Sequence, residues 1–130
     1  NLKTFLLIAV VLFSSACVKK RLKDTTLVLH QPVDKQVYHQ NDTVFIKADI
    51  SYKKEPNNIG FFVALDTKGQ EGDSTFFTRT IMPLNQTYTV DEYYVNEFSE
   101  AKDVTLSYGK RNVKSNQIYE IKTLDLTFLP

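Results

Sequence analysis

Between Thr43 and Ile50 apolar and polar residues alternate almost one by one. Val44, Ile46, Ala48 and Ile50 fall on one face, Lys47 and Asp49 on the other, and Phe45 is the exception. A period of two predicts a β-strand in a sheet with one wet face. Ahead of it, residues 27–29 form a short apolar strand that Pro32 ends or kinks, because proline lacks the donor a ladder needs. His39-Gln40-Asn41-Asp42 then reads as a turn into the long strand. Residues 59–66 are apolar on both faces and read as a central strand. Residues 67–73, with two glycines, form a hairpin loop, and residues 74–81 return antiparallel beside it. Pro83 and Asn85 break the chain before a further strand at 87–90.

The later pattern is less regular. Residues 91–102 sustain neither period, although Tyr94 and Phe98 would share a helical face, and the segment reads mostly as loop. Residues 104–108 alternate well, and Gly109 to Asn116 read as turn. Residues 117–129 form a long final strand. There Ile118, Leu124, Leu126 and Phe128 share a parity while Tyr119 and Ile121 take the other, which predicts a bulge or a strand covered on both sides. Seven or eight short antiparallel strands predict an all-β antiparallel β-sandwich over residues 26–130, with a small open barrel as the alternative. The opening pattern (short strand, Pro-Val-Asp, turn, long alternating strand) resembles the start of an immunoglobulin-like or fibronectin-like module across about residues 26–66. The Cys-Trp-Cys framework of antibody domains is absent, since the chain has one cysteine and no tryptophan.

The first residues follow a different rule. Lys3 is followed by the unbroken apolar run Phe5 to Phe13 and then by Ser14-Ser15-Ala16-Cys17. One positive charge, an apolar core and small residues form the pattern of a secretory signal. Nine apolar residues make about 14 Å of helix, short of the roughly 20 residues needed to cross a bilayer. The only cysteine stands where such a signal is cut. The segment resembles a bacterial lipoprotein signal, with Ser15 and Ala16 fitting and Ser14 in place of the usual leucine. That resemblance implies a signal peptide at 1–16 and lipidation of Cys17. It also implies a lipid-anchored linker over 17–25 whose Lys19, Lys20, Arg21 and Lys23 lie either against anionic head groups or in solvent. Asp24-Thr25-Thr26, Asp42-Thr43-Val44 and Asp73-Ser74-Thr75 resemble the short sites at which some Bacteroidetes glycosylate exported proteins. In lipoproteins of that group a surface-export tag is acidic. The basic Val18-Lys19-Lys20-Arg21 departs from it and implies an outer-membrane anchor facing the periplasm.

Lys3 is the only charge ahead of Cys17, so processing would leave fifteen basic against fifteen acidic residues. A net-neutral domain argues against nucleic acid as a partner. His30 and His39, with Asp34 and Asp42, would make a metal pocket only if two turns faced each other, and no ligand spacing supports one. The loop at 66–73 carries carboxylates but lacks the liganding order of a calcium loop, and reads as a solvated hairpin. No nucleophile motif, phosphate loop or dinucleotide fingerprint is present, so no catalytic residue and no cofactor is expected.

The candidate contact surface is the segment 88–100. Tyr88, Tyr93, Tyr94 and Phe98 are interleaved there with Asp91, Glu92, Glu97 and Glu100. Its rings either recognise a protein or a sugar, or cap the open end of the core. The expected function is a non-catalytic cell-envelope lipoprotein, held to the membrane by its N-terminal lipid and binding or scaffolding another envelope protein. An open edge near residues 27–29 or along the final strand would serve strand addition. The alternative is carbohydrate or small-ligand binding through 88–100.

Overall fold

The computed structural model describes residues 25–52, 58–69, 72, 74–82 and 87–130. The expected signal segment, Cys17 and nearly all of the basic linker lie outside the described residues. Eight strands are present: β1 (Thr25–Gln31), β2 (Val37–Tyr38), β3 (Thr43–Tyr52), β4 (Ile59–Thr67), β5 (Ser74–Ile81), β6 (Thr87–Val95), β7 (Lys102–Asn112) and β8 (Ile118–Phe128). They form a three-stranded sheet in the order β1-β3-β6 and a five-stranded sheet in the order β2-β8-β7-β4-β5. The domain is therefore an all-β sandwich of two sheets and not a closed barrel. All pairings are antiparallel except β2 with β8, which is parallel and was not foreseen.

The alternation in β3 produces the first half of the core. Val44, Ile46 and Ala48 are fully buried and Ile50 nearly so, while Phe45 and Lys47 face water. They meet Phe61, Val63 and Leu65 of β4, Val104 and Leu106 of β7, and Leu126 and Phe128 of β8 in one cluster. β1 is an edge strand that ends at Gln31, before Pro32, as the missing donor requires. The turn before β3 is also as expected: Asp42 N–H donates to the His39 carbonyl, and Asn41 takes a positive φ of 71°. β4 and β5 form the expected hairpin.

Three expectations are corrected. Residues 91–95 are strand, not loop, and complete β6. Their inward parity is Tyr88, Val90, Glu92, Tyr94; the single carboxylate on that face hid the period, and pairing with all of β3 from Thr43 to Ser51 enforces it. Gly109 to Asn112 belong to β7, so the turn begins at Val113. The glycine marks a close backbone approach: a Cβ there would collide with the Glu120 carbonyl of β8. The Asn112 side chain closes the real turn, accepting from Lys114 N–H at 2.9 Å and Ser115 N–H at 3.0 Å. Finally, the last strand is an open edge only in part: β2 pairs with Thr127 and Phe128 alone, and residues 118–124 have no partner strand on that side among the described residues. Of the two explanations for its mixed parity, the bulge accounts for Tyr119, whereas Ile121 lies beyond it in regular register and is exposed. The β7 partner steps from Glu120 to Ile118 between Lys110 and Arg111, leaving Tyr119 as the extra residue.

Candidate functional site

β5 and β6 each end a sheet, and the seam between them is an open groove of about 590 Å³. Phe76, Phe77 and Arg79 line one side, and Tyr93, Tyr94 and Glu97 the other. The floor depends on a local irregularity in β5. Leu65 pairs with Phe77 but Asp66 pairs with Thr75, so Phe76 is an extra residue in the strand. Adjacent side chains of a regular strand point to opposite faces; a bulge lets Phe76 and Phe77 both turn toward the core. Phe77 is buried and Phe76 packs against the core cluster.

Around Phe76 the rings interlock. It meets Phe98 edge-on at 5.0 Å between centroids and Tyr94 at 5.2 Å, and Tyr94 stacks on Phe128 at 6.2 Å. Tyr94, Phe98 and Tyr88 thus cap the core from the seam side. Burial, and then the nearby Glu97 carboxylate, raise the Tyr94 hydroxyl above its ordinary pKa. Tyr93 points the other way and is 65% exposed. It sits directly opposite Phe45, itself 48% exposed, so two aromatic rings stand side by side on the wet face of the three-stranded sheet.

The charges follow the same division. Glu92 turns inward, half buried, and its Oε2 lies 3.9 Å from Nε of Arg79 across the seam. Arg79 lies over the Phe77 ring at 4.6 Å and donates to the Thr78 carbonyl at 2.8 Å. Asp91 faces outward opposite Lys47, whose ammonium sits 5.4 Å over Phe45. Of the expected site residues, Tyr93, Tyr94 and Glu97 line the groove, while Phe98 packs on Phe76 and Glu92 reaches Arg79 across the seam. Tyr93 stands at its rim with Asp91 on the outer face, and Tyr88 lies further along β6. Phe45, Phe76, Phe77 and Arg79 join the site beyond the residues expected from the sequence. Phe45 carried a signal, as the one apolar residue on the wet face of an alternating strand; the Phe-Phe pair carried none, because only its pairing with β4 turns both rings inward.

The seam ends at Asn96, which is fully buried. Its Nδ2 donates to the Tyr38 and Leu129 carbonyls, each at 3.3 Å, and its Oδ1 accepts from Phe98 N–H at 3.0 Å. It fixes the loop that carries Glu97 and Phe98.

The candidate histidines and turn carboxylates have structural partners. His30 Nε2 lies 2.7 Å from Asp49 Oδ2, while the Thr89 hydroxyl donates to Asp49 Oδ1 at 3.1 Å. These contacts hold the Asp49 carboxyl below the usual range, His30 first and Thr89 second. The hydroxyl and the imidazole both spend themselves on the carboxylate, an arrangement that leaves no base-activated nucleophile. Asp42 accepts from His39 N–H and Asp34 from Asp125 N–H. In the 66–73 loop Asp66 accepts from the Thr75 hydroxyl and Lys68 pairs with Asp125 at 2.7 Å. Among the described residues no three His, Cys, Asp or Glu side chains converge. Of the Asp-Ser/Thr triplets, Thr25 is buried, Thr43 half-buried and Ser74 exposed. No protein-family model matches the chain, and no curated protein is significantly similar to it.

Proposed function

We propose that this chain is a non-catalytic, lipid-tethered module of the bacterial cell envelope that binds another protein along the β5–β6 seam. The observation that carries the reading is the seam itself. Two sheet edges flank a groove floored by Phe76, Phe77 and Tyr94, and the exposed pair Tyr93 and Phe45 adjoins it. Aromatic rings beside unpaired backbone make the composition of a protein contact. The strand order supports the immunoglobulin-like reading of the fold. β1, β3 and β6 take the places of strands A, B and E, and β4, β7 and β8 those of C, F and G. Such sandwiches serve widely as display scaffolds, a link made by analogy of fold. The tether rests on the leader and Cys17, read from sequence.

A sugar stacked on Tyr93 is the second reading, favoured by that exposed ring. It is weaker because the rings inside the groove are already covered. Arg79 lies on the face of Phe77, and Tyr94 stacks on Phe128. Co-purification from the native envelope tests the proposal. The wild-type chain is expected to bring down a defined protein that a Tyr93→Ala, Phe45→Ala variant loses. Retention of every partner by that variant, or a sugar as its only ligand, would overturn it.

A further inference from the structure

The four strands that end the two sheets are unequal as acceptors of an added strand. β2 is two residues long, and the stretch of β8 it leaves uncovered, 118–124, is broken by the bulge at Tyr119. β1 slips register with β3 between Leu29 and Gln31, and β5 slips against β4 beside Leu65. β6 keeps an unbroken ladder with β3, from Thr43 opposite Val95 to Ser51 opposite Thr87. Its other side has no partner strand among the described residues. Short length and bulges are the usual devices that blunt an edge, and a long regular edge is the template an extended peptide joins. The expected acceptor at residues 27–29 is thus the poorer one, and β6 the better.

Charge selects the partner. From Met82 to Ala101 the chain carries Asp91, Glu92, Glu97 and Glu100 and not one lysine or arginine. Glu92 is met by Arg79. Asp91, Glu97 and Glu100 are exposed, and among the described residues none of them forms an ion pair. Lys47, the base nearest in register to Asp91, turns its ammonium over Phe45. The geometry is specific about placement. A strand added beside β6 would alternate its side chains between the groove, floored by Phe77 and Tyr94, and the outer face, where Asp91 and Tyr93 stand. We infer that β6 accepts an extended segment of another protein in which apolar and basic residues alternate. The apolar side chains enter the groove, and lysines or arginines meet Asp91, Tyr93 and Glu97. This deepens the reading of the seam as the contact surface, on which it rests, by naming the mode and the partner's chemistry.

The test is an NMR titration of the isotope-labelled protein with a blocked octapeptide of alternating valine and lysine. Two control peptides carry glutamate for lysine, or N-methyl groups at every second backbone nitrogen. The basic peptide is expected to shift amides of residues 87–97 in particular. The acidic peptide and the N-methylated one should each bind about tenfold more weakly or worse, the first through like charge and the second through lost ladder bonds. A D91N, E97Q variant should weaken the basic peptide several-fold and flatten its salt dependence. Equal binding of the basic and acidic peptides, undiminished binding of the N-methylated one, shifts centred on β1 or β8, or no binding would each overturn the inference. If the native partner is nevertheless lost from the Tyr93→Ala, Phe45→Ala variant, the seam remains the contact surface and only the strand-addition mode fails.

Discussion

Replacing Asn96 tests whether one buried amide holds the end of the seam together. Asn96→Ala removes three hydrogen bonds: those to the Tyr38 and Leu129 carbonyls and the one from Phe98 N–H. Tyr38 O keeps a second partner, the Leu129 N–H at 2.8 Å, so the loss there is partial. At about 1 kcal/mol for each net bond, with some excess for groups left unsatisfied, the expected cost is about 2–4 kcal/mol. Asn96→Asp is the sharper probe. It has nearly the same shape but puts a carboxylate oxygen where the Nδ2 donor now faces two carbonyl oxygens. At pH 7 the ionised form should cost more than the alanine, because a buried charge is added to the lost bonds. Burial and those oxygens raise the new carboxyl in the folded state. Its penalty therefore shrinks as pH falls through that raised value, and the Asp variant gains on wild type in mild acid. Urea unfolding at pH 7 and in mild acid measures all three chains, provided the slopes agree. A loss below about 1 kcal/mol for Asn96→Ala, or an Asp variant milder than the alanine at pH 7, would refute the assignment.

Gly109→Ala should destabilise by at least about 3 kcal/mol or prevent folding, because its Cβ meets the Glu120 backbone carbonyl. Gly60→Ala, whose Cβ meets Val113 Cγ1 at 2.8 Å and the Ile81 carbonyl only at 3.2 Å, should cost less, and urea midpoints rank the two. Acid should weaken the fold. Burial raises the Glu120 carboxyl, but Lys110 and Lys122 outweigh it and hold it below its usual value, so its stabilisation is present above the unfolded pKa of about 4.3 and lost as pH falls through the folded one. E120Q should flatten that acid limb in a pH series of melting curves. At the other extreme, burial and then Asp42 push Tyr38 up to about 12. Its stabilisation should be lost as pH rises from about 10 through that value, and Tyr38→Phe should lose less. Cys17→Ser should leave the fold intact and abolish lipid attachment, read by intact mass and detergent-phase partitioning; identical masses apart from the substitution would remove the anchor.

What the sequence made legible was the part governed by unbroken local periods. β3 showed its buried face residue by residue, and the turn at 39–42 and the β4–β5 hairpin followed from the asparagine, aspartate and glycines of their connections. The seam was hidden where tertiary partners override the local rule. Glu92 interrupts the apolar parity of β6 and is tolerated because Arg79 reaches it from the other sheet. Phe76 and Phe77 share a side only because β5 bulges against β4, which no window on β5 alone reveals. Gly109 looked like a turn residue because a glycine needed for close approach of β8 is indistinguishable, in one sequence, from a glycine needed for φ. Tyr93 and Tyr94, adjacent and chemically alike, separate into contact surface and core cap once the pleat of β6 is fixed by β3.

The most direct measurement is photo-crosslinking in the native envelope from a benzoylphenylalanine placed at position 93. A companion placed at position 28, on the far edge strand, serves as the control. Crosslinking of one discrete protein from 93 and not from 28 is the predicted result. Crosslinking from 28 alone, or from neither position under conditions where the chain is intact and anchored, would contradict the claim that the β5–β6 seam is where this protein meets its partner.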